Sequence, residues 1–594
     1  MAAVQSVRYT ITPADPAAHI FEVSLEVDAP VAGMQFVLPA WIPGSYMVRE
    51  FARNIVWLKA DCDGAPVGIE KTDKHTWVLG RVPAGARRAV LRYAVYAWDL
   101  SVRCAHLDAS HGFFNGTQVF LRVAGRESLP HRVRIDAPAG VRDWTVATSL
   151  PEAAGKGGAK RRGFGWYEAP DYDALIDHPV EMGPLSWVSF DVRGVPHDFA
   201  INGQHDCDMS RLAQDVARAC EAQCALFGDA PPPFGRYVFM LTVVGEGYGG
   251  LEHRDSTALL ASRNDLPFVG MKDTSEAYRG FLGLCSHEYL HAWHVKRIKP
   301  AAFVPYDLQQ ENYTRLLWLF EGFTSYYDDL ALVRAGLISR DAYLGLLAKT
   351  LGAVRRGSGR QVQSVADSSF DAWIKYYRQD ENAPNAIVSY YAKGSLVALA
   401  LDLAIRAKSA GAKSLDDLMR LLWSRYGDGS GLAEDALPGL IREATGVDVS
   451  RLLRQATEGC EDLPLEKLFK PFGITLGWTA ESETPSVDAK LVADGESVKF
   501  AQVFSGGAAH RAGISAGDLL VALNGLRVKA GGLEARLGRM RAGDVVRMHL
   551  FRRDELFDVT LTLAPASQTK AALSVSAKPA PAARKLLGDW LGQA

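Results

Sequence analysis

Residues 287–291, with the sequence His-Glu-Tyr-Leu-His, constrain this chain most, because they fix a local structure and a chemistry together. They lie in a stretch from 275 to 295 whose apolar residues recur at helical spacing, so His287 and His291 project from one helix face. Two such imidazoles can bind one metal ion at about 2.0–2.1 Å. Glu288 then stands beside the ion, where it can take a proton from a metal-activated water. The alternatives are two surface histidines or a site that only binds metal, and mere binding has no need of Glu288.

A catalytic zinc site needs a third protein ligand and one open position. Two glutamates downstream of the histidine pair compete for this role. Glu311 lies in a polar stretch, whereas Glu321 lies among the apolar residues of 317–323. A carboxylate in an apolar setting is unfavourable unless a cation compensates it, so we predict Glu321 as the ligand. We therefore expect one Zn²⁺ per chain, held by His287, His291 and Glu321, with His294 in a supporting or packing role.

Composition limits the other functions open to the chain. A length of 594 residues predicts several domains, and a net charge of -2 gives no basic field for nucleic acid. No apolar run reaches about 18 residues, so we expect no membrane span. The N-terminal stretch alternates like a strand and lacks a secretory pattern, and the seven cysteines show no disulfide spacing. We expect a cytoplasmic protein with free thiols.

The residue pattern divides the chain into four segments. Residues 1–180 look β-rich, and 181–464 mix strands with helices at 209–227, 275–295, 316–333, 389–407 and 415–426. A strand is predicted at 237–244, followed by a glycine turn over 245–250. Strands return within 465–568, and 569–594 reads as a loose tail that includes one short helix. The predicted fold is multidomain α+β.

Several motifs together resemble one family of metallopeptidases. The histidine motif and the 317–323 segment, Leu-Trp-Leu-Phe-Glu-Gly-Phe, resemble the gluzincins, although the gap from His291 to Glu321 is longer than in aminopeptidase N. Residues 41–46, residues 249–253 and a PDZ-like C-terminal segment resemble the bacterial glycyl aminopeptidase family more narrowly. The resemblance implies an N-terminal β-sandwich-like domain, a thermolysin-like α/β catalytic domain with a helical bundle, and a C-terminal PDZ domain.

The resemblance also implies substrate-binding and transition-state groups. By its similarity to the Gly-x-Met-Glu-Asn segment of aminopeptidase N, Glu252 would bind the substrate's free amine, beside Gly249 and Gly250. Glycines let a backbone approach a ligand closely, and an exposed strand edge can pair with a peptide. Tyr391, in a Tyr-x-Lys-Gly element, would donate to the oxyanion. A solvated Glu252 and a Tyr390–Tyr391 core pair are the plainer alternatives.

The C-terminal segment from 496 to 563 resembles a PDZ domain in its glycine and alanine pattern around 505–525. A peptide C-terminus could be received by backbone amides near residues 472–477, with the peptide added as a strand. The alternative is that this segment only packs against the catalytic part or mediates self-association.

These observations lead to two competing functions. The first is a zinc aminopeptidase that acts on peptides with a free N-terminus, for which the resemblance implies a preference for Gly or Ala. The second is a zinc endopeptidase that captures its substrate through the PDZ-like segment. An amine anchor at Glu252 distinguishes them, because a blocked N-terminus would then be a poor substrate.

Overall fold

The computed structural model describes residues 6–592 and divides into two compact units. The first unit comprises the chain up to Asn312, with Ala335–Leu337 and Leu422–Leu432. The second unit comprises Tyr313–Arg334, Ile338–Leu421 and the chain from Ala433 onwards. The architecture is α+β, with a β-rich N-terminal part and a helical part, as the sequence predicts. Within residues 6–592, every helix is too short or too polar to cross a membrane.

The first unit contains twenty of the described strands and four of the described α-helices. The strands are β1 Val7–Asp15, β2 Ile20–Asp28, β3 Gln35–Val37, β4 Ile55–Cys62, β5 Ala65–Val67, β6 Ile69–Lys71, β7 Thr76–Leu79, β8 Arg88–Tyr96, β9 His106–Leu107, β10 Gly112–Phe114, β11 Arg122–Val123, β12 His131–Ile135, β13 Thr145–Ala147, β14 Gly165–Ala169, β15 Val180–Gly183, β16 Ser186–Val192, β17 Val195–Asn202, β18 Tyr237–Val244, β19 Tyr248–Glu252 and β20 Ser256–Ser262. The helices are α1 Gly116–Val119, α2 Tyr172–Ile176, α3 Met209–Leu226 and α4 Glu276–Leu290.

The N-terminal part is built from three sheets that share one apolar core. The largest has seven strands in the order β14-β12-β1-β2-β8-β4-β5, and the other two have the orders β13-β15-β10-β9 and β11-β3-β7-β6. In β2 the apolar residues Phe21, Val23, Leu25 and Val27 are buried, while Glu22 between them is exposed. This period-two burial is the pattern from which the strand was predicted.

A five-stranded sheet follows, in the order β16-β17-β18-β20-β19. Strands β17, β18 and β20 run parallel, and β16 and β19 pair antiparallel at its two edges. Strand β18 has the predicted bounds. The glycine turn predicted over 245–250 is shorter than expected, because residues 248–252 form the edge strand β19. The sheet thereby holds Gly249, Gly250 and Glu252 on its edge strand.

The second unit is helical over most of its length before it ends in strands. Its helices are α5 Leu317–Arg334, α6 Arg340–Arg356, α7 Val365–Phe370, α8 Ala383–Ala386, α9 Ala392–Lys408, α10 Leu415–Tyr426, α11 Leu437–Thr445, α12 Ser450–Glu458, α13 Leu465–Phe469, α14 Ala508–Arg511, α15 Gly532–Leu537 and α16 Pro581–Leu591. Helices α5 and α9 approach closely where Gly322 faces Gly394: a Cβ built on Gly322 would lie 2.5 Å from the Gly394 carbonyl carbon. Glycine at both positions is therefore what lets these helices touch.

The C-terminal strands form two separate sheets. They are β21 Ile474–Thr479, β22 Ala489–Asp494, β23 Ser497–Val503, β24 Leu519–Leu523, β25 Leu526–Arg527, β26 Val545–Arg552, β27 Glu555–Thr562 and β28 Lys570–Val575. Strands β22 to β27 form a six-stranded sheet whose apolar side chains, with those of α14 and α15, make their own core. Strand β21 instead pairs with β28. Residues 472–477, near which a peptide carboxylate was predicted to bind, thus lie outside the six-stranded sheet.

The segment 569–594 differs from the loose tail that was predicted. Strand β28 occupies Lys570–Val575, and the short helix anticipated near its end is α16. Trp590 is fully buried and donates from its indole nitrogen to the Tyr326 hydroxyl at 2.9 Å. The proline-rich residues 578–581 suggested a loop, whereas the apolar face of α16 provides enough buried surface to fix the segment.

Candidate metal centre

Helix α4 places the two predicted histidine ligands. It begins behind Ser275, whose hydroxyl accepts a hydrogen bond from the Tyr278 amide, a standard N-cap. The helix ends at Leu290, so His287 lies in its last turn and His291 directly follows it. The two imidazole centroids lie 4.7 Å apart with ring planes at 81°. Rings so inclined can point their nitrogens towards one common ion.

The backbone just after α4 orients His291. Its Nδ1 donates to the carbonyl oxygen of His294 at 2.7 Å, which fixes the tautomer and leaves Nε2 as the potential ligand atom. His294 is fully buried. His294 therefore supports the His291 ring through its backbone carbonyl, which accepts the hydrogen bond from Nδ1.

His287, His291 and Glu321 each offer one ligand atom, and these atoms all lie within 4.8 Å of one another. Two imidazoles and one carboxylate are a donor set that suits catalytic zinc. Glu321 is 1% exposed, the burial that a carboxylate tolerates when a cation accompanies it. Glu311, the weaker candidate, is half-buried in an irregular segment before α5. The residues present therefore fit a zinc ion.

Glu288 lies against the backbone of the edge strand β19. A Cβ built on Gly250 would stand 2.0 Å from Glu288 Oε1, whereas one on Gly249 would approach only Arg103 Nη1, at 3.7 Å. Arg103 also donates to the Gly250 carbonyl at 3.4 Å. Gly250 is thus needed because the carboxylate occupies the space of a side chain, while Gly249 is under no such constraint.

Glu252 lies close to the same carboxylate. Glu252, Glu288 and His291 form a second buried group whose ligand atoms lie within 4.8 Å of one another. Gly44, with φ of +99°, packs on Glu252: a Cβ there would stand 2.6 Å from Oε1. The predicted segment 41–46 therefore does reach the site, through a left-handed backbone position that favours glycine.

A buried ionic network that sequence reasoning missed holds the residue after Glu252. His253 Nδ1 lies 3.1 Å from Asp177 Oδ1, and the Lys296 ammonium lies 2.6 Å from the same oxygen. Burial alone would raise the pKa of Asp177, but the charge of Lys296 and the hydrogen bond from His253 hold it well below its usual value. Asp177 lies in no recognisable motif, so only its spatial neighbours could reveal it.

Tyr391 is the residue immediately before α9. Its ring stacks on Tyr390 with centroids 4.7 Å apart, and its hydroxyl lies 3.4 Å from that of Tyr377. Burial, and then the charge of Glu321, raise the pKa of Tyr391 well above its ordinary value. Its hydroxyl therefore stays protonated at neutral pH and able to donate a hydrogen bond.

Comparisons with known proteins identify the class to which the chain belongs. The model of the peptidase M61 N-terminal domain matches residues 8–184, and the model of the M61 glycyl aminopeptidase matches residues 280–397. The second match includes the histidine motif, Glu321 and Tyr391. The fold and these matches define a zinc metallopeptidase.

A solved structure specifies the family further. The aminopeptidase N family protein from Idiomarina loihiensis is similar with 40% identity and a TM-score of 0.93, over 98% of this chain and 100% of that chain. The chain belongs to the family of this protein, the aminopeptidase N family, and it contains the two peptidase M61 domains that were matched above.

More distant similarities add nothing to this assignment. The M1 zinc metallopeptidase from Deinococcus radiodurans is 18% identical, with a TM-score of 0.48 over 78% of this chain and 95% of that chain. A search of the curated proteins finds no match.

Proposed function

We propose that this zinc aminopeptidase removes N-terminal Gly or Ala from peptides, with Glu252 as the amine anchor. The observation that carries the proposal is that Glu252, Glu288 and His291 each offer one ligand atom, and that these three atoms lie within 4.8 Å of one another. The amine and the carbonyl carbon of one residue are only about 2.5 Å apart, given standard bond lengths and angles. An anchor this close to the general base therefore suits cleavage after the first residue.

His287, His291 and Glu321 would hold one catalytic zinc. When bound, zinc polarises the scissile carbonyl and lowers the pKa of a water towards about 7. Glu288 would take the proton of that water and return it to the leaving amine, a cycle that requires a carboxylate near both groups. The support for this role is the position of Glu288 against Gly250, which leaves the carboxylate little room to move.

The remaining groups would bind the two ends of the reacting residue. Glu252 would receive the ammonium in a charge-assisted contact. Tyr391, kept protonated, would donate to the oxyanion. The open edge of β19, which carries Gly249 and Gly250, offers backbone groups that can pair with an extended peptide.

The proposed preference for a small first residue is supported by the segment that packs on Glu252. The segment 41–46 approaches the Glu252 carboxylate so closely at Gly44 that a methyl group has no room there. Trp41 and Tyr46 in the same segment are fully buried, which makes the wall rigid. A substrate whose amine contacts Glu252 would meet this wall with its first side chain, and Gly or Ala would fit it best.

We also propose a domain arrangement and a cellular location. We propose catalytic function for 181–464 and a β-sandwich-like domain over 1–180. A PDZ domain over 465–568 is supported by the separate core of the β22–β27 sheet and by the sequence pattern around 505–525. This domain would bind a peptide C-terminus or pack on its neighbours. A cytoplasmic location rests on the cysteine and N-terminal patterns of the sequence.

The test is hydrolysis of Gly-, Ala- and Leu-p-nitroanilide beside an N-acetylated peptide, with and without a zinc chelator. We expect the free Gly and Ala substrates to be cut fastest, the blocked peptide to be spared, and chelation to stop the reaction. Internal cleavage of the blocked peptide would refute the amine-anchor role and favour the endopeptidase alternative. A faster reaction with Leu than with Gly would refute only the small-residue preference.

A further inference from the structure

We propose a second metal site in the N-terminal part, where His106, Asp108 and His111 together bind a divalent transition metal such as Zn²⁺. These residues lie at the ends of strands β9 and β10 and in the turn between them. Each offers one ligand atom, and the three atoms lie within 4.8 Å of one another. The proposal is independent of the catalytic role assigned above.

The sheet places these side chains on one face. Phe113 pairs with His106 on one side and with Glu181 of β15 on the other, and directly paired residues point to the same face. Asp108 lies two residues after His106, and His111 lies two residues before Phe113, so the period of two puts them on that face as well. The three candidate ligands and the Glu181 carboxylate therefore share one small patch of the sheet.

The distances within the group match a zinc coordination sphere. Two ligands at about 2.0–2.1 Å from zinc, at the tetrahedral angle, are about 3.3 Å apart. His106 Nε2 lies 3.2 Å from Asp108 Oδ2, and His111 Nδ1 lies 3.5 Å from Asp108 Oδ1. The two rings are stacked, with centroids 4.7 Å apart and planes at 27°. Binding through both imidazoles therefore requires one ring to rotate towards the other.

Buried polar atoms around the group have no hydrogen-bond partner among the described residues, which indicates that this place can accommodate an ion. His106 is 4% exposed, His111 is 5% and Glu181 is 2%. Within residues 6–592, His106 Nδ1, His111 Nε2 and Glu181 Oε1 find no hydrogen-bond partner. Three such atoms on one face are unusual, because buried polar atoms are nearly always paired with protein, water or an ion. Rotation of the imidazole rings towards an ion would give these ring nitrogens a partner.

The chemistry of the donor groups suits a metal. Burial raises the pKa of Glu181 well above its usual value, and a nearby cation would favour its ionised form. Imidazole nitrogens with a carboxylate favour zinc over magnesium or calcium.

The test measures zinc per chain in the full-length protein after chelator treatment, zinc back-titration and dialysis. We expect roughly two zinc ions in the wild type and about one in His111→Ala or Asp108→Asn. Asn keeps the Oδ1 that accepts the Ser110 and His111 amides, so this variant preserves the turn if His111→Ala does not fold. His19→Asn is the matched control: His19 lies in the same aromatic stack, against Trp98, outside the ligand group.

The outcomes separate this site from the catalytic one. His287→Ala should still hold about one zinc, and His111→Ala should hydrolyse the Gly substrate at the wild-type rate. One zinc in the wild type and none in His287→Ala would overturn the proposal, as would two in both His111→Ala and Asp108→Asn. One zinc in the wild type that survives in His287→Ala but is lost in Asp108→Asn would support this site and contradict the proposed catalytic one.

Discussion

The substitution Gly250→Ala tests how Glu288 is held. The added methyl would stand 2.0 Å from Glu288 Oε1, 2.4 Å from Cδ and 2.7 Å from Cγ. Ordinary contact begins at 3.4 Å, so the carboxylate must move by about 1.4 Å. Glu288 is only 5% exposed, so its carboxylate has little free space into which it can move. The backbone of Gly250 is not in the left-handed region, so alanine is compatible with the strand itself.

The expected effect is on the chemical step. A misplacement of about 1 Å in a catalytic group lowers the rate by about 100-fold, which corresponds to about 2.7 kcal/mol in the barrier. We expect the metal ligands to keep their places, because the three atoms nearest to the added methyl all belong to Glu288. We therefore expect kcat to fall by about two orders of magnitude, while zinc content and the Tm stay close to the wild-type values.

The assay is steady-state hydrolysis of Gly-p-nitroanilide, with zinc measured on the same preparation. Gly249→Ala is the matched control, since its methyl group meets only Arg103 Nη1 at 3.7 Å. This neighbouring variant should retain kcat within a few-fold. Wild-type kcat in Gly250→Ala, or an equal loss in the two variants, would refute the idea that Gly250 makes room for the general base.

Three further predictions concern stability. Gly322→Ala should destabilise the fold by about 1–3 kcal/mol, because its methyl would lie 2.5 Å from the Gly394 carbonyl carbon. Asp177→Asn should lower the free energy of unfolding by about 3–5 kcal/mol, since it leaves the buried Lys296 ammonium without its charged partner. Burial lowers the pKa of His197 to about 4, so the folded state binds fewer protons than the unfolded state between pH 6.5 and 4. Stability should therefore fall as pH drops through this window, by up to about 3 kcal/mol from this residue.

Urea unfolding provides the measurement for all three. Gly345→Ala on α6 is the control for Gly322, since its added methyl meets nothing within 4 Å and should be neutral or stabilising. Asp448→Asn is the control for Asp177, because it breaks only an exposed pair with Arg442 and should leave the free energy of unfolding close to the wild-type value. Equal losses within either pair, or a free energy of unfolding unchanged between pH 7 and pH 5, would contradict the corresponding argument.

Local periodicity predicted most of the elements in this fold. Strand β18 and helix α10 have the predicted bounds, because each repeats its apolar residues at the spacing of one structure. Among the described residues, the predicted ligands His287, His291 and Glu321 offer ligand atoms within 4.8 Å of one another. Two histidines one helical turn apart, together with a carboxylate in an apolar segment, have few other uses than to bind a metal ion.

Tertiary contacts explain what the sequence did not predict. The approach of Gly44 to Glu252 joins residues far apart in the chain, and no local pattern encodes it. Asp177 is likewise distant from Lys296 and His253, its partners in the buried network. Strand β28 belongs to β21 through long-range pairing, which a proline-rich neighbourhood concealed.

The central claim is that Glu288 is the general base of a zinc-dependent peptidase. Its most direct test is the zinc content and the turnover of Gly-p-nitroanilide by Glu288→Gln, measured on one preparation beside the wild type. We predict an unchanged zinc content and a kcat lower by about 100- to 10,000-fold, because glutamine keeps the shape but cannot accept the proton. Zinc-loaded Glu288→Gln that hydrolyses the substrate at the wild-type rate would contradict the account.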